Sequence, residues 1–287
     1  MGTRATWDLT QRVARDSAGP VRSAFTRGSQ HLLTALDRVA QTVDAPSGFA
    51  RVVQARGPWE AFERELLTGF RAALVPVFGA GYRSALRDAR RKAPPARPTP
   101  VELQLGVAWM DAYGARLVRE IAQDTQRGIQ DAVNEGLARG EAPREIAREL
   151  RDFVGLTSRE ARAVTNRRRL LEGQERKPAQ VDRMAAAYRD RLVSLRATRI
   201  ARTEVMSARN EGVLQGWQRL VSEGGLPATG MGKMWIAALE IACPICAPLH
   251  KEVVPINGTF SNGRARPPMH VHCRCTMGLV DLADAEA

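Results

Sequence analysis

Cys243-Pro-Ile-Cys246 and His270-Val-His-Cys-Arg-Cys275 decide how the C-terminal part of this chain folds, because together they hold all four cysteines and two of the four histidines. Two cysteines separated by two residues close a turn in which both thiolates face one cation, and a zinc ion takes four such donors at tetrahedral angles. The second segment must then supply the remaining ligands. His270 and Cys273 lie three apart, whereas Cys273 and Cys275, two apart, leave the same face of an extended segment. The expected set is Cys243, Cys246, His270 and Cys273, with Cys275 as the main rival ligand and His272 and His250 as weaker ones.

Other uses of clustered cysteines fit this stretch less well. Disulfides belong to exported chains, and M-G-T-R-A-T-W-D-L-T-Q-R lacks the apolar run of a secretory signal, so reduced thiols are expected. A redox Cys-x-x-Cys opens a helix after a strand, but A-P-L-H-K follows Cys246. Burial as ordinary small side chains does not account for four cysteines in one place. The gap between the pairs exceeds the usual one, yet the pair-plus-pair layout remains that of a zinc site.

Around the cysteines the pattern is that of strands and turns. Lys233-Met-Trp-Ile-Ala-Ala-Leu239 alternates and is rich in large residues, so it reads as a strand leading into the first pair. Val253-Val254 and Cys275-Thr-Met-Gly-Leu-Val280 supply two more, and Asn257-Gly258 and Asn262-Gly263 mark turns. Such an element buries too little by itself, so a metal is expected to hold it together.

Upstream the chain reads as helices. Phe25, Leu32, Leu33, Leu36 and Val39 recur at helical spacing, as do Trp59, Phe62, Leu66 and Phe70. Asp44 to Gly48 and Arg56-Gly-Pro58 read as loops, and Lys92-Ala-Pro-Pro-Ala-Arg-Pro-Thr-Pro100 as a stiff Pro-rich spacer. Val107, Met110, Leu117, Ile121, Ile129, Ala132 and Val133 keep to one arc of a helix ending near Gly140, and Arg144 to Asp152 forms the next. Thr157-Ser-Arg-Glu160 is a capping box that opens a helix at Ser158. Separate helices are expected over Ala179 to Leu195 and Ala197 to Val221. The fold class is therefore mainly α with a small C-terminal α+β module, divided as 1–92, a linker 93–100, 101–222 and 223–287.

Net charge is +12, and only four of the 43 basic residues are lysine. Arginine binds phosphate and carboxylate bidentately, so nucleic acid or an acidic protein surface is the partner class this charge fits. The region from Arg151 to Arg202 carries 14 basic against 6 acidic residues, with Arg167, Arg168 and Arg169 as the candidate contacts. No stretch approaches the 18 or so apolar residues of a membrane span. Glu204, with Arg202 and Asn210 near it in sequence, reads as a structural polar cluster, since no second acid or base accompanies it.

The blocks G-L-A-R-G-E-A-P-R-E-I-A-R-E-L-R, G-L-T-S-R-E-A-R-A-V-T-N, I-A-R-T-E-V-M-S-A-R-N-E-G, W-I-A-A-L-E-I-A-C-P-I-C-A-P-L-H and P-P-M-H-V-H-C-R-C, in this order, resemble the phage head-morphogenesis family, minor capsid proteins similar to protein F of bacteriophage Mu. The resemblance covers about Val101 to Val280 and involves Arg202, Thr203, Glu204 and Asn210, then Cys243, Cys246, Pro267, Pro268, His270, Cys273, Arg274 and Cys275. It departs from the family at Glu240 and Ile241, where Asp and Arg are common, and at His250, where glycine is. It implies a virion protein, present in the host cytoplasm during assembly, that associates with the portal and capsid proteins and assists assembly or DNA delivery without catalysis. Two rival expectations are an HNH-like zinc-knuckle nuclease and a plain nucleic-acid-binding zinc module. The former needs a general-base histidine beside a second metal ligand, and His270 and His272 already sit inside the knuckle.

Overall fold

The computed structural model describes residues 3–40, 56–90, 99–138, 153–227, 229–238 and 242–285. It is mainly helical, with a small antiparallel sheet near the C-terminus. Five long helices follow in order: α1 (Thr3–Ala40), α2 (Arg56–Arg90), α3 (Pro100–Ala138), α4 (Ser158–Glu172) and α5 (Pro178–Ser222). Three short strands come next, β1 (Met231–Ile236), β2 (Val253–Pro255) and β3 (Thr276–Asp281), in the order β2-β1-β3. A 3-10 turn spans Ala247–Leu249 before β2, and a short helix α6 (Leu282–Ala285) follows β3.

Several boundaries differ from the sequence expectation for local reasons. Arg56-Gly-Pro58 belongs to α2, because proline in a first helical turn lacks only an N–H that has no helical partner anyway. Pro100 likewise opens α3 instead of closing a linker. Thr99 Oγ1 accepts from the Glu102 N–H at 3.3 Å, and the Thr99 N–H donates back to Glu102 Oε2 at 3.5 Å. The α4 capping box stands as expected, with Thr157 and Glu160 each bonding the other's backbone N–H. No break separates Ala179–Leu195 from Ala197–Val221, since neither glycine nor proline interrupts the join, and α5 runs unbroken over 45 residues. Leu195 is 48% exposed, because Val193, Arg196 and Ala197 take the buried face there. Val107 is also exposed, one step off the arc formed by Gly106, Trp109 and Met110. The expected helix over Arg144 to Asp152, the loop at Asp44 to Gly48, the linker before Thr99 and the positions Glu240 and Ile241 lie outside the described residues.

The packing divides the chain into two units that do not follow sequence order. One comprises Arg22–Phe70 and Tyr113–Thr198; the other comprises Met1–Val21, Arg71–Ala112 and Arg199–Ala287. The ranges 1–92, 101–222 and 223–287 therefore do not coincide with them. In the first unit Phe25, Phe62, Leu66 and Phe70 are buried as their spacing requires. Here the arginine run also resolves into different environments. Successive helical residues point about 100° apart, so Arg168 turns inward and donates to Asp182 Oδ1 at 2.6 Å. Arg169 pairs with Glu135 on α3. The three arginines are thus not one exposed edge of free guanidinium groups, contrary to their expected use as a common nucleic-acid contact.

In the second unit, the parts of α2 and α5 assigned to it approach at glycine. A Cβ on Gly212 would stand 2.0 Å from the Phe78 carbonyl oxygen, and one on Gly81 would stand 2.2 Å from that of Arg209. Only hydrogen at these positions lets the two backbones come so close. Ala85 from α2 and Val213, Leu214, Trp217 and Leu220 from α5 share one apolar core with Trp235, Leu249, Phe260 and Met277. Cys246, Cys273 and Cys275 belong to that same core. The C-terminal module is consequently not a free-standing element held by metal alone; α5 and α2 supply much of its interior.

Candidate metal centre

The first cysteine pair sits on a tight turn. Cys246 N–H donates to the Cys243 carbonyl at 3.0 Å and Ala247 N–H to the same oxygen at 2.9 Å. Chain reversal at that carbonyl is what brings the Cys243 and Cys246 side chains to one side. The second pair is set by a turn of its own, closed by Cys273 N–H on the His270 carbonyl at 3.1 Å. His272 adopts a positive φ of 66° within it.

These turns bring the candidate ligands together. His270 Nε2 lies 3.0 Å from Cys243 Sγ and 3.3 Å from Cys246 Sγ, and Cys246 Sγ lies 3.9 Å from Cys273 Sγ. A tetrahedral zinc with ordinary bond lengths spaces two sulfurs about 3.8 Å apart and a sulfur and a nitrogen about 3.5 Å apart. Two overlapping triads, Cys243-Cys246-His270 and Cys246-Cys273-Cys275, have their ligand atoms within 4.8 Å of one another. Cys246 is common to both. The cluster can hold a metal ion, and its donor chemistry of thiolates and one imidazole suits zinc.

Histidine tautomer and thiol charge agree with this use. His270 Nδ1 faces the Val271 carbonyl at 2.7 Å. With the proton donated there, the Nε2 lone pair is left for a cation held between it and the sulfurs, as in metal-bound histidines oriented by a backbone carbonyl. Burial acts to lower the His270 pKa, but the Val271 bond and the charge on Cys273 outweigh it and raise the value. A bond from Cys275 holds the Cys273 thiol well below the ordinary range, and the same bond, with burial, holds Cys275 well above it. Burial and the charge on Cys273 push Cys246 up to about 12. Burial also acts to raise Cys243, yet bonds from Cys246, Ile245 and His270 bring it down. So many thiols in one buried place cannot all ionise without a cation, and a metal would supply that charge.

Of the two weaker candidates, only His250 is engaged elsewhere. His250 Nδ1 accepts the Ala237 N–H at 3.3 Å. His272 borders the same open cavity, of about 280 Å³, as the cysteines. Burial and the like charges of Arg202, Arg199 and Arg274 lower its pKa.

Around the ligands runs a set of polar clamps that the sequence did not reveal. On α5, Thr203, Ser207, Asn210 and Glu211 recur at helical spacing and grip the ligand loop. Thr203 Oγ1 accepts the His272 N–H at 3.0 Å. Asn210, wholly buried, donates through Nδ2 to the carbonyls of Pro267 at 3.3 Å and Cys275 at 3.2 Å, and its Oδ1 accepts from Thr276 Oγ1 at 2.9 Å. Arg266 pairs with Glu211 and donates to Ser207 Oγ at 3.2 Å. From α1, Gln11 Nε2 donates to the Arg274 carbonyl at 2.9 Å. The grouping expected for Arg202, Glu204 and Asn210 is thus uneven. Asn210 ties the helix to the ligand loop and Glu204 is buried, while Arg202 lines a separate cavity with other arginines. Polar residues at i, i+4, i+7 and i+8 on an otherwise apolar helix face were the available signal for the α5 clamp. No helix among the described residues is long and apolar enough to cross a membrane. Comparison with protein-family models, with curated proteins and with solved structures finds no match.

Proposed function

We propose that this chain is a phage minor head protein of the head-morphogenesis kind, a structural and interaction protein that associates with portal and capsid proteins and carries zinc in its Cys/His cluster. One observation carries the reading. The helix block R-T-E-V-M-S-A-R-N-E-G and the block P-P-M-H-V-H-C-R-C, about sixty residues apart, meet through Asn210, Thr203 and Ser207. Two of the segments that bear the resemblance are therefore in direct contact, which supports the reading. The non-catalytic reading is supported by His270, whose two nitrogens face a carbonyl and the cysteine sulfurs. The chain is expected in the virion, and in the host cytoplasm during assembly.

Co-expression with a phage portal protein, followed by pull-down of the full-length form, tests the reading. Co-purification of the two, about one zinc per chain by elemental analysis and no plasmid nicking with added divalent metal are the expected results. Nicking that disappears on changing His270 or His272 would favour the nuclease instead.

A further inference from the structure

Beside the metal centre lies a second, strongly cationic cavity of about 340 Å³ within the same unit. Arg12 and Arg15 reach it from α1, Arg202 from α5, and Arg274 from the ligand loop between Cys273 and Cys275. A single carboxylate, Asp8, shares the lining, and its ion pair is with Arg4 at 3.7 Å. Among the described residues none of these four arginines makes an ion pair. Burial, then the like charges of Arg274 and Arg15, lower the Arg202 pKa, which places these three guanidinium groups within electrostatic reach of one another.

The arrangement is built from inside. Gln11 is buried and fixes the Arg274 backbone from α1. Trp7 lines the same cavity, and among the described residues its buried indole N–H has no hydrogen-bond acceptor. Arg12 and Arg15 are exposed and Arg202 and Arg274 half-buried, and gathering four like charges against one acid is unfavourable, so a ligand that supplies negative charge suits the site. One acid against four guanidinium groups leaves an excess that a single carboxylate does not balance. Phosphate carries more charge and presents oxygens that match the guanidinium fork bidentately.

We infer that the cavity between α1, α5 and the ligand loop is a phosphate-binding site, with Arg15, Arg202 and Arg274 as its principal contacts. The phosphate is either a free ester or one link of a nucleic-acid backbone. Arg274 also borders the cysteine cavity, so the ordering of its backbone by the metal turn couples this site to the metal centre.

The test uses full-length, zinc-loaded protein. Inorganic phosphate is titrated by calorimetry, and a fluorescein-labelled DNA 20-mer by polarisation across a salt series. Both are run for wild type, for Arg15→Gln with Arg202→Gln, and for Arg202→Lys; Arg176→Gln, exposed in the other unit, is the control. Zinc content and the unfolding midpoint verify that each variant is folded. The double variant is expected to weaken phosphate binding about tenfold or more, since two charge-assisted bonds are removed. Arg202→Lys should weaken it less, as it keeps the charge but loses the fork. If the source is a nucleic-acid backbone, DNA affinity falls in parallel, and the salt slope drops by about 0.9 for each phosphate that the variant no longer neutralises. If the source is a free ester, phosphate binding alone responds. Equal phosphate affinity in the folded double variant and wild type overturns the inference. So does an acidic peptide that competes with phosphate and binds more tightly than it does.

Discussion

Lys233 occupies the middle of β1, opposite Val254 and Leu279, with no exposed surface and, among the described residues, no hydrogen-bond partner for its Nζ. The Phe260 ring lies 5.6 Å away and compensates in part. Burial lowers its pKa from 10.5 to about 8. At about 1.4 kcal/mol per pKa unit, holding this charge inside costs on the order of 3 kcal/mol. The folded pKa is depressed for a base, so below pH 8 both folded and unfolded chains carry the proton and the cost is borne in full. Between pH 8 and about 10.5 the folded chain loses its proton first, and the cost disappears. Lys233→Met, similar in volume, should therefore stabilise the zinc-loaded protein by about 2 to 3 kcal/mol at pH 7 once the ring contact is subtracted. The gain should shrink steadily toward pH 10. Urea midpoints of the two chains at pH 7, 8, 9 and 10 measure it, and their difference cancels titrations common to both. No gain at pH 7, or a gain independent of pH, would refute the reasoning.

At the metal centre, Cys246→Ser should abolish metal binding because Cys246 belongs to both triads, whereas Cys275→Ser should retain about one zinc per chain; elemental analysis distinguishes them. Because metal displaces protons from Cys246 and its neighbours, zinc affinity should fall as pH drops from 8 to 6, as competition with a chromophoric chelator would measure. Asn210→Ala removes three buried hydrogen bonds, to the carbonyls of Pro267 and Cys275 and from the Thr276 hydroxyl, and should cost about 2 to 4 kcal/mol in denaturant unfolding. Gly212→Ala gains helix propensity but drives a methyl into the Phe78 carbonyl; a net loss of about 1 to 2 kcal/mol is expected, and a raised melting temperature would show the helices can part freely.

Signals that were local in sequence translated well into structure. Cysteine spacing marked the cluster, large residues marked β1, Asn-Gly pairs marked turns, and Thr157 with Glu160 marked the start of α4. Each depends on neighbours a few residues away. What escaped depended on distant partners. Nothing near Lys233 in sequence announces that its side chain will be sealed under Phe260. Arg167, Arg168 and Arg169 looked equivalent as a run, but their helical phase sends one inward to Asp182 and another to Glu135. The arginine cavity joins positions 12, 15, 202 and 274, which no window can hold together. Continuity of α5 was missed for a different reason, since a shift in the buried face between Leu195 and Ala197 resembles a break.

Synthesis order gives the closure of the metal unit a particular timing. The first turns of α1 leave the ribosome well before β3, yet Thr10 bonds Thr276 and Gln11 bonds Arg274, 266 and 263 positions later. These two bonds of α1 must therefore wait until the second ligand turn has been made. Contacts of such long range slow folding and leave apolar surface open to chaperones or to neighbouring chains. Metal uptake then falls late in biogenesis, and a chain cut short before Cys273 would lose the packing of α1 as well as its ligands.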